Sequence, residues 1–413
     1  MRTACPLPKL PTSLEYRIME NLFFKYEKKL VESGLAISGD PLLGILDAEI
    51  EWNRRDGSQK IFEKVFENLN INSLIFSKPK EPYYSIINYL AKISGKAIRP
   101  SDCETRTFFH DLPVSLEFSA DSIISMLKKR KCVIIQGHGI ISYGTVSIEQ
   151  AFITFSSVCF SCFVKFFSDY LSALKSGRPN NDFINIFEKV SNFTAPPPHL
   201  NNSLLKSPFY TDKEVFSAIC EAGSLLVGLK LVDSFFGNIS FRHDDTLFIS
   251  QTGSSLDELD GCIDLCPFDG SSCACITASS ELPAHLEIIK RTGHKAILHG
   301  HPKFSVILSM DCGIRDCSSK GVCNIKCPFE RDVCGIPVVS GEVGSGSGGL
   351  CNTVPAAIID KPGVIVYGHG IFTTGADDFN LPFTNLLEIE NACYREYFKR
   401  VSNPSAAPSQ LGF

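Results

Sequence analysis

The chain has 413 residues, which is too long for one ordinary hydrophobic core and suits two domains. Its apolar fraction of 44% is that of a globular protein, and its net charge of −5 shows no basic excess of the kind that marks nucleic-acid binding. The N-terminal stretch 1–17 lacks the apolar segment of a secretory signal. The most apolar run, 151–164, is too short to span a bilayer and predicts a buried core helix. We therefore expect a cytoplasmic protein with neither nucleic acid nor membrane as a partner.

A proline-rich stretch divides the sequence. Residues 195–208 begin with three consecutive prolines after Ala195, which cannot continue a helix, and then contain Asn-Asn-Ser, which is typical of loops. We interpret this stretch as a linker between a domain at 1–194 and a domain at 209–401. A flexible tail is predicted at 402–413.

The two predicted domains contain a repeated pattern. Residues 131–144 and 362–375 both contain an apolar strand, then G-H-G-I, then a glycine four residues on. A weaker match pairs 296–308 with 73–87, where other residues replace two histidines. The pattern predicts an internal duplication whose degenerate first copy has lost these two histidines but kept His138. Chance similarity is the alternative, although the shared order of two matches argues against it.

The second domain has the clearer pattern of secondary structure. A capping box from Thr211 to Glu214 opens an apolar helix that we expect to reach about Phe235. The predicted elements that follow are strands at 236–242 and 246–250, a helix from 278 to 292, a strand, turn and helix at 295–310, strands at 335–339 and 364–367, and a helix at 378–400. This mixture predicts α/β layers around one sheet.

Two histidines stand at the end of a predicted strand. His299 and His301 are two residues apart, so in a strand they point to the same face and converge on one point. His369, in a second G-H-G, follows another apolar strand and is the natural third member. Three protein ligands with one open position are common in catalytic zinc sites. The alternative is that each histidine lies on a solvated strand end.

Glu281 is a candidate general base. It follows Ser279-Ser280 at a predicted helix start, eighteen residues before His299. A carboxylate beside a metal can remove a proton from a carbon atom. The alternative is an ordinary first-turn glutamate that interacts favourably with the helix dipole. The position of Glu281 alone favours this alternative.

Three turns in this half could bind an anion. They are rich in small residues and hydrogen-bond donors, and one precedes a helix N-terminus, which presents free N–H groups and partial positive charge. Each could also be an ordinary turn or cap. The turns are Gly237-Asn238, Thr252-Gly253 and Ser279-Ser280.

Taken in order, these motifs resemble the class II aldolase/adducin family across essentially the whole second half. The motifs are G-N-x-S-x-R (237–242), T-G (252–253), S-S-E (279–281), H-x-H (299–301) and G-H-G (368–370). The resemblance implies two tandem α/β domains, each a central, mostly antiparallel sheet covered by helices. It implies that the three histidines bind Zn²⁺ or another divalent metal, and that Glu281 acts as acid/base. It also implies a phosphate site at Asn238, Thr252, Gly253, Ser279 and Ser280.

The implied activity is that of a zinc-dependent lyase. Such an enzyme cleaves or forms a C–C bond in a small phosphorylated sugar through a metal-stabilised enediolate. An epimerase or dehydratase on a sugar phosphate would use nearly the same residues, and a non-catalytic, adducin-like interaction module is a further alternative. Aldolases of this family take a tyrosine from a neighbouring subunit, which we cannot place in this sequence. Because family members form rings, we expect a homodimer or a larger homo-oligomer.

A cysteine-rich insert at 311–335 separates the second and third of these histidines. Its gaps of four, five, three and six residues differ from paired C-x-x-C zinc ligands. The insert could still hold a second, structural zinc or an iron–sulfur cluster, and a redox function centred there is a third hypothesis. A loop of reduced or disulfide-linked cysteines is the alternative. The five residues are Cys312, Cys317, Cys323, Cys327 and Cys334.

Overall fold

The computed structural model describes residues 13–177, 179–200, 203–232, 235–314, 317–319, 321–342, 346 and 348–403. The chain forms two compact units. Unit 1 comprises Met1–Pro100, Phe108–Phe163 and Glu188–Phe193, and unit 2 comprises Ser101–Thr107, Val164–Phe187 and Thr194–Phe413. The two predicted domains are continuous in sequence, whereas unit 2 also includes two segments that precede the linker. The predicted tail lies outside the described residues from 404 onward.

Helices and strands alternate along both halves. Before the linker they are α1 (Ser13–Glu32), β1 (Leu42–Leu46), β2 (Ile50–Trp52), α2 (Gln59–Asn68), β3 (Ser73–Ser77), α3 (Tyr83–Ser94), β4 (Ala97–Ile98), α4 (Cys103–Phe109), β5 (Leu112–Ser115), α5 (Ala120–Leu127), β6 (Cys132–Ile135), β7 (Gly139–Gly144), α6 (Ile148–Lys175) and α7 (Asn181–Ser191). After it they are α8 (Asp212–Gly228), β8 (Asn238–His243), β9 (Thr246–Ser250), β10 (Ile263–Pro267), α9 (Leu282–Thr292), β11 (Ala296–Gly300), α10 (Lys303–Met310), β12 (Arg331–Val333), β13 (Ile336–Val339), α11 (Leu350–Ala357), β14 (Val364–Val366), β15 (Gly370–Gly375) and α12 (Asn380–Ser402).

Each unit has one mostly antiparallel sheet, as predicted. The first sheet has the order β2-β1-β3-β7-β6-β5-β4, and the second has the order β10-β9-β8-β11-β15-β14-β13-β12. Apart from the additional strand β10, the two orders correspond strand by strand. Among the described residues, each sheet has one parallel pair, and it falls at the same place in both, between β5 and β6 and between β13 and β14. This shared topology supports an internal duplication.

Strand β11 lies in the middle of the second sheet and carries the H-x-H motif to its end. All five of its residues are buried, as expected for a short apolar strand with neighbours on both sides. His299 is opposite Asn238 on β8 and opposite Phe372 on β15. The register therefore places the motif next to residues from two other strands.

The start of α8 agrees with the prediction, but its end does not. Thr211 accepts a hydrogen bond from the Glu214 backbone, and the Glu214 side chain accepts one from the Thr211 backbone, which completes the predicted capping box. The helix ends at Gly228 rather than near Phe235. Lys230 has a φ of 57°, a left-handed conformation that an α-helix cannot contain.

The predicted core helix at 151–164 lies within α6. By length and composition alone, α6 is long and apolar enough to cross a membrane. In its most apolar window of 18 residues, 83% of the residues are buried inside the protein, and core helices pass the same test. The side chains of Phe155, Phe160 and Phe166 are almost fully buried. This burial agrees with the predicted core position.

Candidate active site

Three buried histidines meet at one point in unit 2. His299 and His301 come from the end of β11, and His369 comes from the turn between β14 and β15. One ring nitrogen of each lies within 4.8 Å of the others. In the described part of the chain, these histidines form the one group of three or more side chains arranged to hold a metal ion. The predicted convergence of the three is therefore present.

Backbone and aromatic neighbours orient the rings. His299 Nδ1 donates a hydrogen bond to the Ile371 carbonyl at 2.9 Å, which leaves its Nε2 with a lone pair. Its ring stacks on Phe372 with centroids 4.0 Å apart, and the His301 ring stacks on Phe236 at 5.4 Å. A His299 nitrogen suited to metal binding is therefore fixed towards the centre of the site.

Gly370, directly after His369, makes room for the other two rings. A Cβ atom at this position would lie 2.4 Å from the Gly300 carbonyl oxygen and 2.8 and 2.9 Å from ring atoms of His299 and His301. No side chain fits at those distances. The glycine that follows the histidine in G-H-G thus allows β15 to approach the H-x-H motif closely.

Glu281 lies among the histidines. It is the N-cap residue of α9 and is buried. Its Oε1 is 3.0 Å from His369 Nε2, and its Oε2 is 3.4 Å from His299 Nε2. The prediction that Glu281 and the three histidines share one site therefore agrees with the geometry.

Charge in this cluster is distributed unevenly. Burial lowers the pKa of His299 to about 4 and lowers that of His301 well below its usual value, so both rings are neutral near pH 7. Burial opposes the charge on His369, but Glu281 and Glu104 outweigh it and raise the pKa of His369 to about 9. Burial likewise disfavours ionised Glu281, yet His299, His369 and Asn238 lower its pKa below the usual range. The core of the site is thus a carboxylate paired with one cationic imidazole.

This donor set fits a divalent metal. His301 Nε2 is 2.8 Å from His299 Nε2, whose lone pair makes His301 the donor, and His301 Nδ1 is then left buried with no hydrogen-bond partner among the described residues. The two Nε2 atoms that face each other so closely could instead both bind one cation in place of the shared proton. Two neutral imidazoles are deprotonated ligands of the kind that a metal requires, and the ionised Glu281 carboxylate beside them favours a cation. A metal ion could also replace the positive charge that His369 now carries beside Glu281.

A chain of hydrogen bonds behind Glu281 was not predicted from the sequence. Asn238 Nδ2 donates to Glu281 Oε2 at 2.8 Å, and Asn238 Oδ1 accepts from His285 Nε2 at 2.5 Å. His285 Nδ1 in turn accepts from Ser240 Oγ at 2.7 Å. Burial lowers the pKa of His285 to about 3, so the ring is neutral and can donate at one nitrogen and accept at the other.

The spacing of these residues was a signal that sequence reasoning overlooked. His285 lies four residues after Glu281, which is one helical turn further along the same face of α9. Ser240 and Asn238 are two apart in β8 and therefore face the same side of the sheet.

The residues predicted to bind phosphate are partly brought together. An isolated bridge between Gln251 and Ala278 places the turn at 252–253 beside the turn at 279–280. Thr252 donates through its backbone to Thr277 and through its hydroxyl group to Ala278, so these donors are already used. In both turns together, Thr252, Gly253 and Ser280 are exposed and Ser279 is buried. Asn238 is engaged with Glu281 and His285, so its phosphate role stays a prediction.

The cysteines of the insert do not come together as a ligand group. All five lie in the described residues, where they form no cluster of three potential ligands. Cys312 and Cys334 are exposed, and the other three are half-buried. The structure therefore provides no arrangement for the predicted second metal.

Part of the second half matches a known protein family. Residues 217–397 match the family described as Class II Aldolase and Adducin N-terminal domain. No curated protein matches the sequence.

Several solved structures are similar to parts of the chain. The L-fuculose-1-phosphate aldolase of Thermus thermophilus is 21% identical, with 47% of this chain and 98% of that chain covered and a TM-score of 0.37. A sugar-phosphate aldolase of Thermotoga maritima is 21% identical, with coverage of 46% and 96% and a TM-score of 0.33. The N-terminal class II aldolase domain of a conserved Thermoplasma acidophilum protein is 14% identical, with coverage of 48% and 99% and a TM-score of 0.32.

Proposed function

We propose that this protein, whose residues 217–397 match the class II aldolase and adducin family, is a metal-dependent lyase that cleaves or forms a C–C bond in a small phosphorylated sugar. The observation that carries the proposal is the position of Glu281, 3.0 Å from His369 and 3.4 Å from His299, inside a group of three histidines. Burial of an ionised carboxylate is costly unless it is paired, and such groups are concentrated at functional sites.

The residues have separate roles in this proposal. His299, His301 and His369 would hold Zn²⁺ or another divalent ion, which when bound supplies a Lewis acid for the carbonyl and adjacent hydroxyl oxygens of a ketose. Glu281 carries the proton to or from the carbon atom that keeps the electron pair of the broken C–C bond. Asn238, held by His285, keeps the Glu281 carboxylate in place.

The substrate's phosphate would bind at the two adjoining turns. Ser280 and Gly253 are exposed there, next to Glu281, the buried N-cap residue of α9. The Ser280 hydroxyl group can donate a hydrogen bond to a phosphate oxygen. We place the phosphate at these two turns and the reacting carbons at the histidines. We further propose that the enzyme is cytoplasmic and forms a homodimer or a larger homo-oligomer.

A cleavage assay tests the proposal. Metal-loaded protein is incubated with a panel of phosphorylated ketoses and with the same ketoses lacking phosphate, and aldehyde release is measured. We expect cleavage of a phosphorylated member only. In Glu281→Gln, turnover should fall by about 10²–10⁴-fold because the proton-transfer group is lost, while bound metal is retained.

Two controls make the assay decisive. Glu287→Gln changes another glutamate of the same helix α9, on its outer face, and should leave turnover unchanged. Unchanged turnover in Glu281→Gln would remove Glu281 from its role. If metal-loaded wild-type protein cleaves no ketose, the lyase proposal is wrong, and a related epimerase or dehydratase or an interaction module of this family becomes the better explanation.

A further inference from the structure

A short segment of the first half belongs structurally to the site of the second. Residues Ser101–Thr107 are part of unit 2, although they precede the linker by about ninety positions in the sequence. The Cys103 backbone N–H donates to the Gly368 carbonyl at 2.7 Å, and Cys103 Sγ lies 3.4 Å from the Tyr367 carbonyl oxygen. These contacts hold the segment against the two residues that immediately precede His369.

The segment is also fixed from within. Asp102 is fully buried and accepts hydrogen bonds from the Thr105 backbone at 2.8 Å and from the Thr105 hydroxyl group at 2.5 Å. This is the arrangement of a helix cap, and it sets the first turn of α4. Gly368 has a φ of 59°, and a Cβ atom there would meet Cys103 Sγ at 3.0 Å. The close approach of α4 therefore depends on the first glycine of the G-H-G motif.

The first turn of α4 brings Glu104 to His369. Glu104 Oε2 is 3.7 Å from His369 Nδ1, within ion-pair distance, while His369 Nε2 faces Glu281 at 3.0 Å. The two ring nitrogens of His369 thus face two different carboxylates. Of the two, Nε2 points towards Glu281, which also contacts His299.

We propose that Glu104 is a positioning residue for the metal centre, supplied by the first half of the chain to His369. An imidazole can bind a metal through Nε2 only if that nitrogen has its lone pair, so the ring proton must be on Nδ1. A carboxylate beside Nδ1 favours that tautomer and fixes the ring orientation, as outer carboxylates do for metal-binding histidines in general. This inference rests on the metal binding in the proposed function, but not on the reaction.

The inference also gives the degenerate first half a role. Its copy of the H-x-H motif carries Phe76 and Lys78 in place of histidines, so it lacks these ligands. Through 101–107 it nevertheless contributes a charged side chain to the site of unit 2. We infer that a second half produced alone would bind the metal more weakly than the full chain does.

The test measures zinc affinity in the full-length protein by competition with a chelator of known strength. Glu104→Gln keeps the shape of the side chain but removes its charge, and it should weaken zinc binding by roughly 10–100-fold, as loss of such outer partners typically does. Arg106 lies on the same helix in an exposed position, so Arg106→Gln serves as the matched control. Its zinc affinity should equal that of the wild type.

A second measurement determines which nitrogen of the His369 ring carries the proton. In protein with ¹⁵N-labelled histidine, the His369 signals should show a proton on Nδ1 in zinc-bound wild-type protein and in Arg106→Gln. In Glu104→Gln the same signals should show an increased share of the other tautomer at sub-saturating zinc. Thermal melting establishes that both variants are folded.

The outcomes separate this inference from the lyase proposal. Wild-type affinity and an unchanged tautomer in Glu104→Gln would overturn the role of Glu104. If wild-type protein binds zinc at the histidines, loses affinity on Glu104→Gln and cleaves no sugar, the lyase proposal falls and the role of Glu104 stands. If zinc binding does not depend on His301, the inference is overturned.

Discussion

Glu281 Oε1 lies 3.0 Å from His369 Nε2, and this contact joins the start of α9 to the turn between β14 and β15. Both side chains are about 95% buried, so each needs the other or a metal ion to offset the cost of its charge. The pair therefore marks the point at which the bound metal and the acid/base group of the proposed reaction would meet.

Removal of one histidine should abolish metal binding. We expect His301→Ala to lose the divalent metal that wild-type protein retains, because only two of the three histidine ligands would remain. Elemental analysis of both proteins after gel filtration measures this. His138→Ala is the matched control, since His138 occupies the corresponding G-H-G of the first half and is exposed. Metal that persists undiminished in His301→Ala would place the metal elsewhere.

The hydrogen-bond chain behind Glu281 should matter for both stability and turnover. His285→Ala leaves Asn238 Oδ1 and Ser240 Oγ without their partner, at a cost of about 1–3 kcal/mol for each buried group that stays unsatisfied. We expect a lower free energy of unfolding and a reduced kcat with a nearly unchanged KM. Denaturant titration and steady-state kinetics measure these quantities. A destabilised variant with full kcat would show that the chain has only a structural role.

The proposed phosphate site predicts a selective effect on substrate binding. Ser280→Ala should raise KM for a phosphorylated ketose about tenfold or more, because a hydrogen bond to a charged group contributes roughly 1.5–3 kcal/mol. kcat should change little. Ser271→Ala, which alters another exposed serine of unit 2, is the control. Equal KM values for wild type and Ser280→Ala would exclude this turn as the phosphate site.

Glu390 should make stability depend on pH. It is fully buried and accepts hydrogen bonds from the backbones of Phe304 and Ser305, so it caps the helix that follows the H-x-H motif. Burial raises its pKa to about 7 from an ordinary value of 4.5, although these hydrogen bonds oppose the change. The folded state therefore binds the proton more tightly than the unfolded state does. Its contribution to stability is present below about pH 4.5 and is lost as the pH rises through 7.

Denaturant titrations between pH 5 and 8 measure this dependence. In wild-type protein the free energy of unfolding should fall by up to about 3 kcal/mol across this range from Glu390 alone. At pH 5, Glu390→Gln should be less stable than the wild type. Its free energy of unfolding should also lack the fall with pH that Glu390 causes. Glu388→Gln, an exposed neighbour on α12, should follow the wild-type curve. Parallel curves for wild type and Glu390→Gln would contradict the prediction.

Much of the second half could be predicted from local patterns. The strand that carries the H-x-H motif, the capping box at Thr211 and the strand at 246–250 appear in the structure as expected. Such features depend on alternation, helical period and turn chemistry within a few residues. The convergence of His299 and His301 follows in the same way from their spacing, and the order of the motifs supplied His369 and Glu281.

Other features depend on contacts that a local pattern does not contain. The end of α8 at Gly228 lies within a continuing apolar pattern, and the five insert cysteines, all among the described residues, form no group of three potential metal ligands despite their density. His285 had a readable helical spacing, but its neutral state and its bonds to Asn238 and Ser240 come from burial in the folded chain. Local propensity is a weak guide wherever tertiary packing supplies the larger share of the free energy.

The sequence by itself thus determined several strands of the second half, the capping box at Thr211 and the identity of the three histidines and the carboxylate that lie together. The tertiary structure alone decided that Glu104 faces His369. The segment that carries Glu104 bonds through Cys103 to Tyr367, 264 residues away. No helical or strand period relates positions so far apart in sequence. Their contact depends on tertiary packing, and the absence of a side chain at Gly368 allows Cys103 to come close.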